Sequence, residues 1–194
     1  MTSHTRRPGT GPRQAERLYR VVLELLREHG FDELAIETVA QRAGVNKTTI
    51  YRWWPSKDAL VADALIHSEL LDLDVPDTGS LRGDLTALVR QVRLLLSGAD
   101  TAPIATSVFA AAASRPELAG LTRDFFADRL SRERVVFERA IARGDIHPDT
   151  DVTLAVDLAL GAVWTRVVLR QQDVGEAFDA EVTDLLLAGL TPRT

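Results

Sequence analysis

Residues 44–57 read GVNKTTIYRWWPSK and hold both lysines of the chain, Lys47 and Lys57. Ammonium, hydroxyl, guanidinium and aromatic groups crowd together here as Lys47, Thr48, Thr49, Tyr51, Arg52, Trp53 and Lys57. Such groups hold phosphate oxygens and read base edges. Their placement sharpens the point. Lys47 falls in the first turn of one expected helix and Lys57 in the first turn of the next, with Asp58 partly offsetting the second. A helix start is the positive end of its dipole, so each cation costs roughly 0.3 kcal/mol or more unless an external anion arrives. Phosphate is the anion that fits. The other reading is that these are ordinary surface lysines.

Catalytic chemistry finds little support. There is no cysteine, so thiolate metal sites and disulfides are excluded. The histidines, His4, His29, His67 and His147, lack the helical spacing of a zinc pair. His147 with Asp149 and Asp151 reads as a loop leading to an acidic helix cap in preference to a metal or acid–base site. No glycine-rich phosphate loop or nucleophile elbow appears. No enzyme activity, cofactor or metal is expected.

Helices position these groups. Apolar residues recur at spacings of three and four from about Pro12 to His29 (Ala15, Leu18, Val21, Val22, Leu25, Leu26), with Gly30 as the stop. A short helix over about 37–43 turns inward Val39 and Ala40 and breaks at Gly44. Asn46 caps the next, which runs to about Trp54 with Ile50 and Trp54 inward. Ser56 caps a fourth, to about Leu71, burying Leu60, Ala64 and Leu65. Further helices are expected near 81–97, 102–113, 117–143, 151–170 and 176–190, and no strand pattern persists. The class is all-α, with about nine helices.

The two short helices make a helix-turn-helix over about 35–54, whose second helix turns its outer face to a groove. Trp54 falls four residues after Ile50 and belongs to the core; Trp53 points away from it, toward a neighbouring helix or a phosphate backbone. Tyr51 either reaches a phosphate through its hydroxyl or seals the helix pair. Charge supports a polyanion-facing head: residues 1–60 carry 10 Arg/Lys against 7 Asp/Glu, and residues 61–194 carry 13 against 21. Residues 1–11 read as a disordered arm, and Arg6, Arg7 and Arg13 form a basic tail that either enters a minor groove or makes no specific contact. The amino terminus has no apolar stretch of the secretory kind, so the cytoplasm is expected.

The stretch FDELAIETVAQRAGVNKTTIYRWWPSKDALV, residues 31–61, resembles the tetracycline-repressor (TetR) family of transcriptional regulators. The Ala43-Gly44-Val45 turn, Tyr51 three residues before Trp54, and Ser56-Lys57 followed by Leu60 carry the likeness. It is strong over 12–72 and looser over 73–194. It implies a three-helix DNA-binding head, a fourth connecting helix, a ligand-binding body, and homodimerisation through about 151–170 and 176–190. It implies phosphate contacts from Tyr51 and Lys57, and groove-facing roles for Asn46, Lys47, Thr48, Thr49, Arg52 and Trp53. Ala35 stands where the family often has a capping threonine, so Thr38 takes part of that phosphate contact.

The body offers apolar residues for an effector cavity: Leu88, Val92, Leu95, Ile104, Val108, Phe109, Phe125, Phe126 and Trp164, with Arg129, Thr106 and Thr165 as orienting polar groups. The effector is expected to be apolar or amphipathic. Val152–Leu169 is apolar nearly all round, but Asp157 and Arg166 interrupt it. It reads as a subunit interface or a core helix and not as a membrane span. The expected function is a ligand-responsive repressor bound to a double-stranded DNA operator. The alternative is a helical small-molecule carrier without DNA binding.

Overall fold

The computed structural model describes residues 15–68 and 73–190, and its regular structure is entirely helical. The basic arm, and Leu71 as the end of the fourth helix, lie outside the described residues. Helix α1, Ala15–Glu33, buries Leu18, Val21, Val22, Leu25 and Leu26, the residues its periodicity selects. It does not stop at Gly30. The chain kinks there, with φ 75° and ψ −179°, and runs on in helical form to Glu33. That backbone conformation belongs to glycine almost alone. Phe31 and Leu34, beyond the kink, are buried in the core.

Helices α2 (Ile36–Ala43) and α3 (Lys47–Trp53) are joined by a turn in which Gly44 takes φ 65°. Asn46 caps α3, its side chain accepting from the Thr48 amide. Ser56 caps α4 (Lys57–Ile66) by accepting from the Ala59 amide. The body holds α5 (Leu81–Ser97), α6 (Ala102–Ala112), α7 (Pro116–Arg143), α8 (Val152–Val163) and α9 (Glu176–Leu190). A π-helical segment, Trp164–Leu169, continues α8. Asp151 caps α8 by accepting from the Leu154 amide, so the acidic run after His147 begins a helix.

Three apolar cores hold these elements. The first takes in α1–α4 together with Ile104, Val108 and Ala111 of α6 and Leu118 of α7. The second joins Leu81 and Leu85 of α5 to Val136, Phe137 and Ala140 of α7 and to Val152 and Val156 of α8. The third packs α5 against α8 and α9 through Val89, Val92, Leu96, Ala159, Val163, Phe178 and Val182. Each fully buried leucine or phenylalanine contributes roughly 1.5–3 kcal/mol. The head thus has no core of its own: α6 and the start of α7 complete it.

Polar contacts fix the connections. Asp63 on α4 accepts from the Tyr19 hydroxyl at 2.6 Å and from Trp54 Nε1 at 2.7 Å, tying α1, the end of α3 and α4 together. Arg93 of α5 meets Asp179 of α9 in a buried two-bond pair at 2.7 and 2.8 Å.

Candidate nucleic-acid interface

Helix α3 has two faces. Ile50 is fully buried and Trp54, just past its end, nearly so, while Tyr51 and Trp53 stay 44% and 43% exposed. Asn46, Lys47, Thr48 and Arg52 are exposed as well, and Thr49 and Thr38 are half-buried. Burying the apolar side of so short a helix against the first core leaves the polar groups together on the outside. Asn46 Oδ1 also accepts from the Thr48 hydroxyl, so both side chains are partly committed to the cap.

The two lysines differ from each other. Lys47 forms an ion pair with Glu37, across the turn on α2, and its Nζ lies 5.6 Å from the Tyr51 ring centre. The Glu37 hydrogen bond holds the Lys47 ammonium above its ordinary range and the Glu37 carboxyl below its own. The expectation that this cation awaits an external anion is therefore corrected: α2 supplies a carboxylate, and the pair is exposed. Lys57 has no carboxylate partner among the described residues. It donates to the backbone carbonyls of Phe31 at 2.9 Å and Asp32 at 3.4 Å, and it lies 4.5 Å from the Phe31 ring centre. Burial first, and Arg115 second, push its pKa down.

The candidate effector residues do not gather round one cavity. Ile104 and Val108 fill the first core, with Leu95 and Phe125 packed on it, and Val92 lies in the third. Phe109, Phe126 and Trp164 form an aromatic cluster with ring centres 4.3–6.1 Å apart, in which Phe109 is partly exposed. The Thr106 hydroxyl is taken by the Ala102 carbonyl of its own helix, and Thr165 is exposed. A shallow recess open to solvent does exist. Leu73, Asp74, Val75, Pro76, Leu88, Arg129, Arg132 and Glu133 line it. Leu88 and Arg129 are the two expected residues it contains. Glu133 escaped the sequence reading, although a signal was there: Arg129, Glu133, Val136, Phe137 and Ala140 repeat at helical spacing and are all buried. A carboxyl in a buried register invites a functional question.

Among the described residues no group of three or more His, Asp or Glu is placed to hold a metal ion. What the fold defines is a helix-turn-helix, capped and braced, carried on a larger helical body.

Comparison with known proteins places the chain within that class. The family model described as "Bacterial regulatory proteins, tetR family" matches residues 19–64, and that described as "Tetracyclin repressor-like, C-terminal domain" matches residues 75–186. The HTH-type transcriptional regulator AqdR of Rhodococcus erythropolis is 30% identical over 182 residues, 92% of this chain and 86% of that protein. The DNA-binding transcriptional repressor TetR of Mycobacteroides abscessus is 31% identical over 185 residues, 94% of this chain and 96% of that protein. Among solved structures, the TetR family transcription regulator SCO0332 superposes with a TM-score of 0.76 at 37% identity, covering 92% of this chain and 98% of that one. The flavonoid-responsive regulator FrrA superposes at 0.71 and 25% identity, covering 94% and 99%. The chain belongs to the TetR family of transcriptional regulators, and it is a DNA-binding regulator with an amino-terminal helix-turn-helix.

Proposed function

We propose that the chain is a homodimeric repressor that leaves its operator when the body takes up a small molecule. The observation that carries this reading is the outer face of α3, where Thr48, Tyr51, Arg52 and Trp53 stand clear of the core that holds Ile50 and Trp54. Thr49, Arg52 and Trp53 enter the major groove. Tyr51, Lys57 and Thr38 contact phosphates beside it, and Asn46 sets the start of the helix between them. Lys57 has three N–H groups, of which two are given to carbonyls of α1, so the third serves a phosphate. Lys47 joins them by exchanging Glu37 for phosphate, an exchange that costs little because the pair is exposed. Residues 12–72 act as the head and 73–194 as the sensing and pairing body.

Dimerisation through α8 and α9 is supported by what those helices leave uncovered. Only 28% of the apolar stretch Val152–Leu169 is buried within the chain, although by length and composition it could cross a membrane. Leu154 and Leu158 lie one turn apart on α8 and are 53% and 57% exposed, and Leu185 on α9 is 76% exposed. Large exposed apolar surface of this kind marks an interface. Two heads would then meet major grooves about 34–36 Å apart. The work is done in the cytoplasm, where the DNA is, and calls for no catalysis. Repression and release by ligand follow the relatives whose names say "repressor" and "flavonoid-responsive".

Footprinting on the DNA upstream of the chain's own gene tests the proposal. A protected, roughly palindromic site at submicromolar protein is the expected result. Uptake of small molecules with no protected site would favour the carrier reading, to which the Lys47–Glu37 pair lends some weight by occupying one of the two lysines.

A further inference from the structure

Helix α3 has seven residues, fewer than the roughly 12–15 that hold as an isolated helix, so both of its ends need fixing from outside. The amino end is fixed locally, by the turn at Gly44 and the Asn46 cap. The carboxyl end is fixed from across the head. Trp54 leaves the helix in extended form ahead of Pro55, and its ring is buried. Its indole Nε1 donates to Asp63 Oδ2 on α4 at 2.7 Å. The same oxygen accepts from the Tyr19 hydroxyl of α1 at 2.6 Å. The Tyr19 ring meets the Trp54 ring edge-on, with centres 5.9 Å apart, and stacks on His67 with centres 5.3 Å apart. The other carboxylate oxygen, Asp63 Oδ1, lies 3.2 Å from His67 Nδ1. Tyr19 and His67 thus hold the carboxylate, and the carboxylate holds the end of α3.

Resting on the reading that the outer face of α3 meets the operator, we infer that Asp63 is a positioning residue for DNA recognition, acting through Trp54 Nε1. Ile50 and Trp54 anchor α3 to the first core by apolar burial, which is strong but has no preferred direction. A hydrogen bond weakens steeply when it is bent, so the bond to Asp63 fixes what burial leaves free, the rotation of α3 about its own axis. Arg52 and Trp53 directly precede Trp54 and are exposed, so a turn of Trp54 moves both of them relative to a groove. Base contacts demand good geometry, whereas phosphate contacts tolerate a small swing. The bond therefore bears on sequence discrimination more than on total affinity.

Tyr19→Phe and Trp54→Phe test this in the full chain. Each keeps an aromatic ring and removes one hydrogen bond to the same oxygen, so a role in stability alone predicts equal effects. Fluorescence anisotropy on the footprinted operator and on a scrambled duplex of equal length gives the ratio of specific to non-specific affinity. Trp54→Phe should lower that ratio about fivefold or more, as one misplaced base contact does, while Tyr19→Phe should stay within about twofold of the parent. The salt dependence should be the same in all three, because no phosphate contact is removed. Asp63→Ala, at a half-buried position of α4, should match Trp54→Phe, and the double variant should fall no further than either single one. Asp63→Ala decides the matter alone if Trp54→Phe does not fold. Equal losses in Tyr19→Phe and Trp54→Phe, or a ratio unchanged in Asp63→Ala, overturn the inference. A parent chain that binds both duplexes alike sinks the operator reading and this inference with it, whereas a discriminating parent matched by its variants sinks this inference alone.

Discussion

Replacing Glu133 by glutamine should make the protein more stable in basic solution and leave it nearly unchanged in acid. The carboxyl is buried on α7, and its pKa rises from an ordinary 4.5 to about 7, because burial disfavours the charged form more than Arg129 favours it. Between those two values the folded chain holds a proton that the unfolded chain has released. Stability therefore falls as pH rises through that window, and the loss is complete above about 7. At about 1.4 kcal/mol per pH unit, the rise amounts to roughly 3 kcal/mol, an upper figure once local rearrangement is allowed. Glutamine keeps the size and removes the titration. Urea unfolding of both proteins at pH 5 and pH 8, at one protomer concentration, isolates the effect as a difference between variants. The gap in favour of Glu133→Gln should widen by about 2–3 kcal/mol at pH 8. An equal gap at both values would refute the claim that burial outweighs the attraction of Arg129 at Glu133.

Arg93→Ala should destabilise by about 3–5 kcal/mol, because it strands Asp179 in the α5–α9 contact, and thermal unfolding measures this. Gly30→Ala should cost about 1–3 kcal/mol through backbone strain. A Cβ there would come no nearer than 3.6 Å to Ser107, so the cost is conformational and not a clash, and urea unfolding reads it. Asn46→Ala should remove about 1 kcal/mol of helix capping and weaken operator binding by shifting the start of α3, to be read by denaturation and by gel shift.

The helices were legible because their apolar residues repeat at helical spacing and their caps are local. Asn46, Ser56 and Asp151 each bond an amide two or three residues on, within reach of a pattern reading. Trp54 was legible for the same reason, one turn after Ile50. Contacts made across the fold were not. Glu37 meets Lys47 only because the turn at Gly44 folds α2 back beside α3, and Tyr19 meets Asp63 from another helix altogether. The stretch around Glu133 reads Ser-Arg-Glu-Arg, which looks like a solvated face until α7 is seen to bury Glu133 beside segment 73–76. The kink at Gly30 was hidden because glycine ends helices as readily as it bends them. The aromatic residues of the body were expected to line a cavity, and their spacing carries no information about which of them border empty space.

In the proposed function the outer face of α3 and the ammonium group of Lys57 bind DNA. Fluorescence anisotropy against the footprinted operator, repeated across a salt series, tests it most directly, with Arg52→Ala and Lys57→Ala beside the parent chain. Affinity should fall steeply with salt. Lys57→Ala should reduce the slope by about one, and either variant should cost about 1–3 kcal/mol or less of binding. Binding that is indifferent to salt, or unchanged in both variants, would contradict the account.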